Sequence, residues 1–312
     1  MSDSEAVSVG WIVQPALFET PSGTAPGSWD LARSILDADD AHAELALRGG
    51  FDTIWVEDHM DWGDKAHLEC LTTLAYLAGR HRGPRYGTMV CGQGFRHPSY
   101  LAKAAVNLQL VTEGKLILGI GAGNNGGEHR SFGFPFPEAG ERIDAMAEQV
   151  RIIRALWSGE PVHLNGERWT IDGAVLAPVP RPQIPVMIGG GGERRTLRLV
   201  AEVADWWCAD VGDVDTFRHK SGVLDGHCRS VGRDPGEIVR SQVIWMSVED
   251  APDRVVRWPD LHLVAGSVDE VTRELEAFRD AGVRHFQMRF MDFPETAGME
   301  RFLSRVLPRL AG

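Results

Sequence analysis

The sequence has no uninterrupted apolar stretch of the length that crosses a bilayer, about 18 residues or more. Its first residues, MSDSEAVSVG, carry neither the basic start nor the apolar segment of a secretory signal, so export is not expected. Cysteine is scarce: Cys70, Cys91, Cys208 and Cys228 are the four, and none shares a CxxC spacing. They read as reduced thiols packed inside a cytoplasmic protein. Histidines and carboxylates show no metal-ligand spacing, so no metal is expected. Basic residues are outnumbered, 32 Lys and Arg against 44 Asp and Glu, for a formal net charge of -12. A nucleic-acid partner would call for a basic stripe, and none is present. There is no G-x-S-x-G elbow, no catalytic-cysteine context and no low-complexity linker.

What the chain does have is alternation. Its 312 residues are 43% apolar and 24% charged, a composition suited to a large core. Eight short apolar runs recur: Val7–Val13, Thr53–Val56, Tyr86–Cys91, Leu116–Ile120, Val186–Ile188, Trp206–Ala209, Ile238–Met246 and His285–Phe290. Each is continuously apolar, as in parallel strands buried on both faces. Amphipathic segments lie between them. Asp40–Arg48 ends at a Gly49-Gly50 stop, and Pro98 opens a helix running to Gly114. Arg142–Trp157 and Glu193–Val203 have helical spacing, and Ser267-Val268-Asp269-Glu270 is a capping box for a helix ending at Gly282. Eight such repeats predict an α/β fold, a (β/α)8 TIM barrel, with residues 1–312 forming a single domain. Gly159–Arg181, with Asn165-Gly166 and Asp172-Gly173, predicts a hairpin insertion.

Barrel chemistry sits at the C-terminal ends of the strands. After the second run stand Asp58 and His59, an acid beside a group that exchanges protons near neutral pH. The plainer reading makes Asp58 a cap and His59 a satisfied loop residue. Trp62 could wall a flat ligand or pack a lid. His97, before Pro98, reads as a structural residue at a helix start. Gly121-Ala122-Gly123-Asn124-Asn125-Gly126 fits G-x-G-x-x-G, but Ser131–Pro137 cannot continue a helix, so a dinucleotide fingerprint is rejected. These glycines instead let backbone pass close under a flat ring. Gly189-Gly190-Gly191-Gly192 opens a helix followed by Arg194 and Arg195, a pattern suited to phosphate; the plainer reading is a flexible turn.

Together these segments resemble the bacterial-luciferase-like superfamily, and within it the F420-dependent oxidoreductases. The likeness rests on Gly50–His59, Phe95–Pro98, Leu118–Gly123, Glu128–Gly133, Gly140–Asp144, Ile188–Leu199 and Cys228–Pro235. It implies a (β/α)8 barrel with insertions, forming a homodimer, that holds coenzyme F420, or alternatively FMN, at the C-terminal mouth. The phosphate end would lie near Gly189–Gly192, His59 would be the acid or base, and Trp62 would stand near the reacting ring. A non-proline cis peptide is implied at Met89–Val90, or one register on at Val90–Cys91, where backbone would press on the ring. Gly121 and Asn124 would also face the cofactor. One departure concerns the segment after Gly-Ala-Gly, where some F420 dehydrogenases carry a glutamate and this chain has Asn124-Asn125. The resemblance implies hydride transfer between F420 and a small organic substrate. The alternatives are an FMN-dependent monooxygenase using O2 and a cofactor-binding barrel without chemistry.

Overall fold

Continuously apolar strands bury both faces, and here they do so by closing on themselves. The computed structural model describes residues 7–14, 24–25, 27–61, 67–249 and 262–310. In chain order its strands are β1 Ser8–Ile12, β2 Thr53–Val56, β3 Arg85–Thr88, β4 Cys91–Gly92, β5 Leu116–Gly121, β6 Val162–Asn165, β7 Thr170–Ala174, β8 Val186–Gly189, β9 Trp206–Ala209, β10 Val239–Val248, β11 Leu263–Gly266 and β12 His285–Phe290. Eight of them pair in parallel as a closed ring in the order β1, β2, β3, β5, β8, β9, β10, β12. This is the (β/α)8 barrel expected from the alternation.

Helices surround it: α1 Trp29–Arg48, α2 Cys70–Arg80, α3 Pro98–Val111, α4 Gly126–Ser131, α5 Ala139–Leu156, α6 Thr196–Val203, α7 Val214–Ser230 and α8 Val268–Asp280. The boundaries follow local chemistry. Helix α1 begins well before the expected Asp40 because Ser28 caps it, its side chain accepting from the Leu31 N–H. The Ser267–Glu270 capping box forms as read. Helix α6 starts only at Thr196, so a turn separates the glycine run from the helix it was expected to open. Helix α4 was not expected. Asn125 makes it, its Oδ1 accepting from the N–H groups of Gly127 and Glu128.

Two other features depart from the simple repeat. The Tyr86–Cys91 run divides into β3 and β4 around Met89-Val90, whose peptide is cis. Strand β11 pairs with the far half of β10, Trp245 opposite Leu263, outside the ring. The hairpin expected within Gly159–Arg181 is β6–β7, a separate antiparallel sheet.

At the N-terminal end, Trp55 lies across the barrel interior. A methyl group on Gly10 would stand 2.3 Å from its Nε1, and one on Gly87 would stand 2.1 Å from its Cζ3. Glycine at these positions makes room for the indole. Trp55 Nε1 donates to His285 Nε2 at 2.9 Å, and His285 Nδ1 lies 2.6 Å from Ser8 Oγ. The imidazole is fully buried, and desolvation pushes its pKa well below the usual histidine range. The unfolded chain therefore takes up a proton that the folded chain refuses. Stability from this group is full above the unfolded value, about pH 6.5, and is lost as pH falls below it. The thermal midpoint should drop between about pH 7 and about pH 5, and the drop should shrink in His285→Asn. An equal drop in that variant would assign the acid sensitivity to other groups.

Candidate active site

The cavity lies at the opposite end, where the C-terminal ends of the strands converge. It encloses about 450 Å³. Strand β2 runs out into Glu57-Asp58-His59, β5 into Gly121–Asn124, and β8 into Gly189–Gly192, and all of these line it. Met89 and Val90 form part of its floor.

His59 is held from a direction the sequence did not show. Its Nδ1 lies 3.1 Å from Glu128 Oε2, while Glu128 Oε1 accepts from the Met60 backbone N–H. The Glu128 side chain is 1% exposed and that of His59 22%. A buried carboxylate on one ring nitrogen fixes the ring's orientation and compensates the charge of a proton taken from the cavity. Directly after Gly-Ala-Gly the position holds Asn124, as read from the sequence, and no glutamate. Glu128 arrives a few residues later, on the first turn of the helix that Asn125 caps. Beside His59 stands His67, edge to face at 6.0 Å. Burial, then the nearby His59, lowers the pKa of His67 to about 4, so it stays uncharged at neutral pH.

Asp58 does not orient His59. Its carboxylate takes Arg96 as a two-pronged partner at 2.5 and 2.8 Å and accepts from the Gly92 N–H at 2.9 Å. Arg96 also reaches Glu69, which caps α2. Asp58 therefore fastens the end of β2 to the Met89-Val90 bulge between β3 and β4, through Gly92, and to α2. Trp62 lies outside the described residues.

The bulge is seated by two glycines. A methyl group on Gly121 would stand 2.5 Å from Val90 Cγ2, and one on Gly189 would stand 3.0 Å from both Val90 methyls. Val90 thus fills the space that side chains on β5 and β8 would need. Asn124 is exposed on the rim of the cavity. Beneath it, His129 stacks on Phe95 at 4.5 Å, and Arg142 lies 3.8 Å over the Phe136 ring.

The glycine run Gly189–Gly192 presents backbone to the cavity, and Gly190 takes φ +116°. Its expected cationic partners are elsewhere. Arg194 is exposed and off the cavity wall, and Arg195 pairs with Asp144 at 2.9 Å. The cation beside the run is Lys220 of α7. Its Cε is 3.9 Å from where a side chain on Gly191 would start, and its Nζ bonds Glu193 at 2.7 Å.

Residues 22–260 match the family model of the luciferase-like monooxygenases. The chain belongs to that family. Within the luciferase-like proteins it is 28% identical to an F420-dependent hydroxymycolic acid dehydrogenase of Mycobacterium tuberculosis, over 74% of this chain. That alignment spans 64% of the relative, a little under two thirds of its length. It is also 28% identical to an F420-dependent glucose-6-phosphate dehydrogenase of Kineococcus radiotolerans, over 76% of this chain and 73% of the other. Among solved structures, an F420-dependent secondary alcohol dehydrogenase with an F420-acetone adduct superposes with a TM-score of 0.83 at 20% identity. That superposition covers 98% of this chain and 100% of the other, a likeness of fold. The cis peptide between Met89 and Val90, implied by the luciferase-like resemblance, is present.

Proposed function

We propose that this chain is an F420-dependent oxidoreductase that moves a hydride between the deazaflavin and a small organic substrate. The observation that carries this reading is His59, held by the buried Glu128 at a cavity walled by the Met89-Val90 bulge and the glycine run. Its family membership and the F420-dependent relatives lend support.

The residues present suit such a cofactor. A flat ring needs an apolar seat, and Met89 and Val90 offer one. An anionic tail needs open backbone and positive charge. Gly189–Gly192 supply the first, since a side chain on Gly192 would stand 2.8 Å from Thr196 Oγ1 and crowd the loop. Lys220 and Arg142 supply the second. When bound, F420 would supply a carbon that accepts or returns a hydride as a two-electron carrier. His59 takes the substrate hydroxyl proton in oxidation or gives one in reduction, and Glu128 keeps the ring aimed. The bulge and the Phe95-His129 stack fix the walls against which substrate is oriented.

The test is a fluorescence titration with F420 and with FMN. F420 is expected to bind more tightly, and Gly191→Leu should weaken its binding by about tenfold or more by crowding Lys220 and Val211. Equal or tighter FMN binding, with O2 consumption in the presence of a flavin reductase, would replace this reading with a monooxygenase.

A further inference from the structure

The order of strands divides the cavity into two arcs. The bulge after β3, Gly121 of β5 and the glycine run that ends β8 occupy three successive places in the ring, and Val90 abuts both Gly121 and Gly189. These carry the cofactor seat proposed above. Beyond β9 the other arc runs through β10, β12, β1 and β2, with β1 across the ring from β8. Trp245 of β10, and Glu57 and His59 at the end of β2, face the cavity from that arc.

Glu57 is held there by a chain of contacts. Its Oε2 lies 2.6 Å from Arg289 Nη2, and Arg289 is buried and off the cavity wall. Arg289 is the register partner of Trp245 across β10 and β12, and its guanidinium lies 4.5 Å from the centre of the Trp245 ring. The carboxylate is thus fixed by a guanidinium that is itself fixed against an indole. Charge balances within the pair, so this corner of the cavity discriminates by hydrogen bonding and not by net charge. An ionised carboxylate only accepts, and one contact with Arg289 leaves it room to accept more. His59 stands two residues on, about 7 Å away along extended backbone. His67 ties the two together: it packs edge to face on His59, and its protonation feels the charge of Glu57.

We propose that Glu57, positioned by Arg289, is a specificity-determining residue for the substrate. With the reacting hydroxyl at His59, a second hydroxyl on the neighbouring carbon donates to Glu57, while Trp245 walls the carbon skeleton. The site therefore prefers vicinal diols to alcohols with a methyl group in place of the second hydroxyl, because the methyl leaves a buried acceptor unmatched. This rests on the hydride-transfer reading above. In oxidation the carbinol carbon gives its hydride to F420, the reacting hydroxyl gives its proton to His59, and a ketone is left; the second hydroxyl is unchanged.

The experiment uses the full chain loaded with F420 and two alcohols of equal size, propane-1,2-diol and butan-2-ol. F420 reduction reads the rate, and F420 fluorescence reads cofactor binding separately. The diol should exceed butan-2-ol in kcat/KM by about tenfold or more. Glu57→Gln alone strands a buried guanidinium, so the deciding variant is Glu57→Leu with Arg289→Met, which leaves neither charge alone. There the two alcohols should come within about twofold of each other. Asp210→Asn alters the cavity carboxylate that follows β9, the strand beside the glycine run, and should leave the diol's advantage within about twofold of its original value. Butan-2-ol equal to or better than the diol overturns the proposal, and this comparison needs no variant. So does an undiminished advantage in the double variant, its loss in Asp210→Asn, or bound F420 with no turnover of either alcohol. Failure to bind F420 at all overturns the hydride-transfer reading, and this proposal with it.

Discussion

Replacing His59 with Asn is expected to lower kcat by about 10²–10⁴-fold while F420 affinity stays nearly constant. The imidazole is the partly open member of a pair whose other half is sealed from solvent. Its removal takes away proton transfer and leaves the bulge and the glycine loops in place. Glu128→Gln should cost a smaller part of that loss, because Gln can still bond the ring but brings no negative charge to balance imidazolium. Rapid-mixing measurement of F420 reduction separates chemistry from cofactor binding. A His59→Asn enzyme with undiminished kcat would remove His59 from the mechanism. Loss of cofactor binding alone would make His59 part of the cofactor seat.

Asp58→Ala is expected to destabilise the protein by about 3–5 kcal/mol, the cost of stranding a buried charge. Arg96 has a side chain only 12% exposed, and Asp58 is 3% exposed. The same aspartate satisfies the Gly92 N–H, so the end of the bulge loses a partner as well. Urea unfolding read by tryptophan fluorescence gives the change. The double variant Asp58→Leu with Arg96→Leu should recover much of the loss, because neither charge is then buried alone. A change under about 0.5 kcal/mol in Asp58→Ala would mean that Arg96 finds solvent or Glu69 at little cost.

These two neighbours show how far the sequence could be read. The ring of strands was legible because strands buried on both faces need unbroken apolar runs. Thr53–Val56, Trp206–Ala209 and His285–Phe290 are read and observed with the same limits. His59 was legible from its place at a strand end. Its partner was not. Asp58 is adjacent in sequence, but successive side chains on extended backbone point to opposite sides, and Asp58 turns to Arg96. Glu128 lies 69 residues away, on a six-residue helix whose glycine-rich start reads as loop. Lys220 was hidden for a similar reason. It sits mid-helix in α7 with nothing local to tie it to Gly191, whereas Arg194 and Arg195 stand two and three residues after the glycines yet turn outward.

Val90 has a consequence for how this site can vary. One isopropyl group occupies room that three strands would otherwise contest, since it abuts the vacant faces of both Gly121 and Gly189. The three positions therefore hold a shared volume, and a methyl gained at one must be surrendered at another. Descendants of this sequence that acquire alanine at 121 or 189 should carry a smaller residue at 90. Those that keep valine there are bound to keep both glycines. The floor of the cavity can therefore change only in concert.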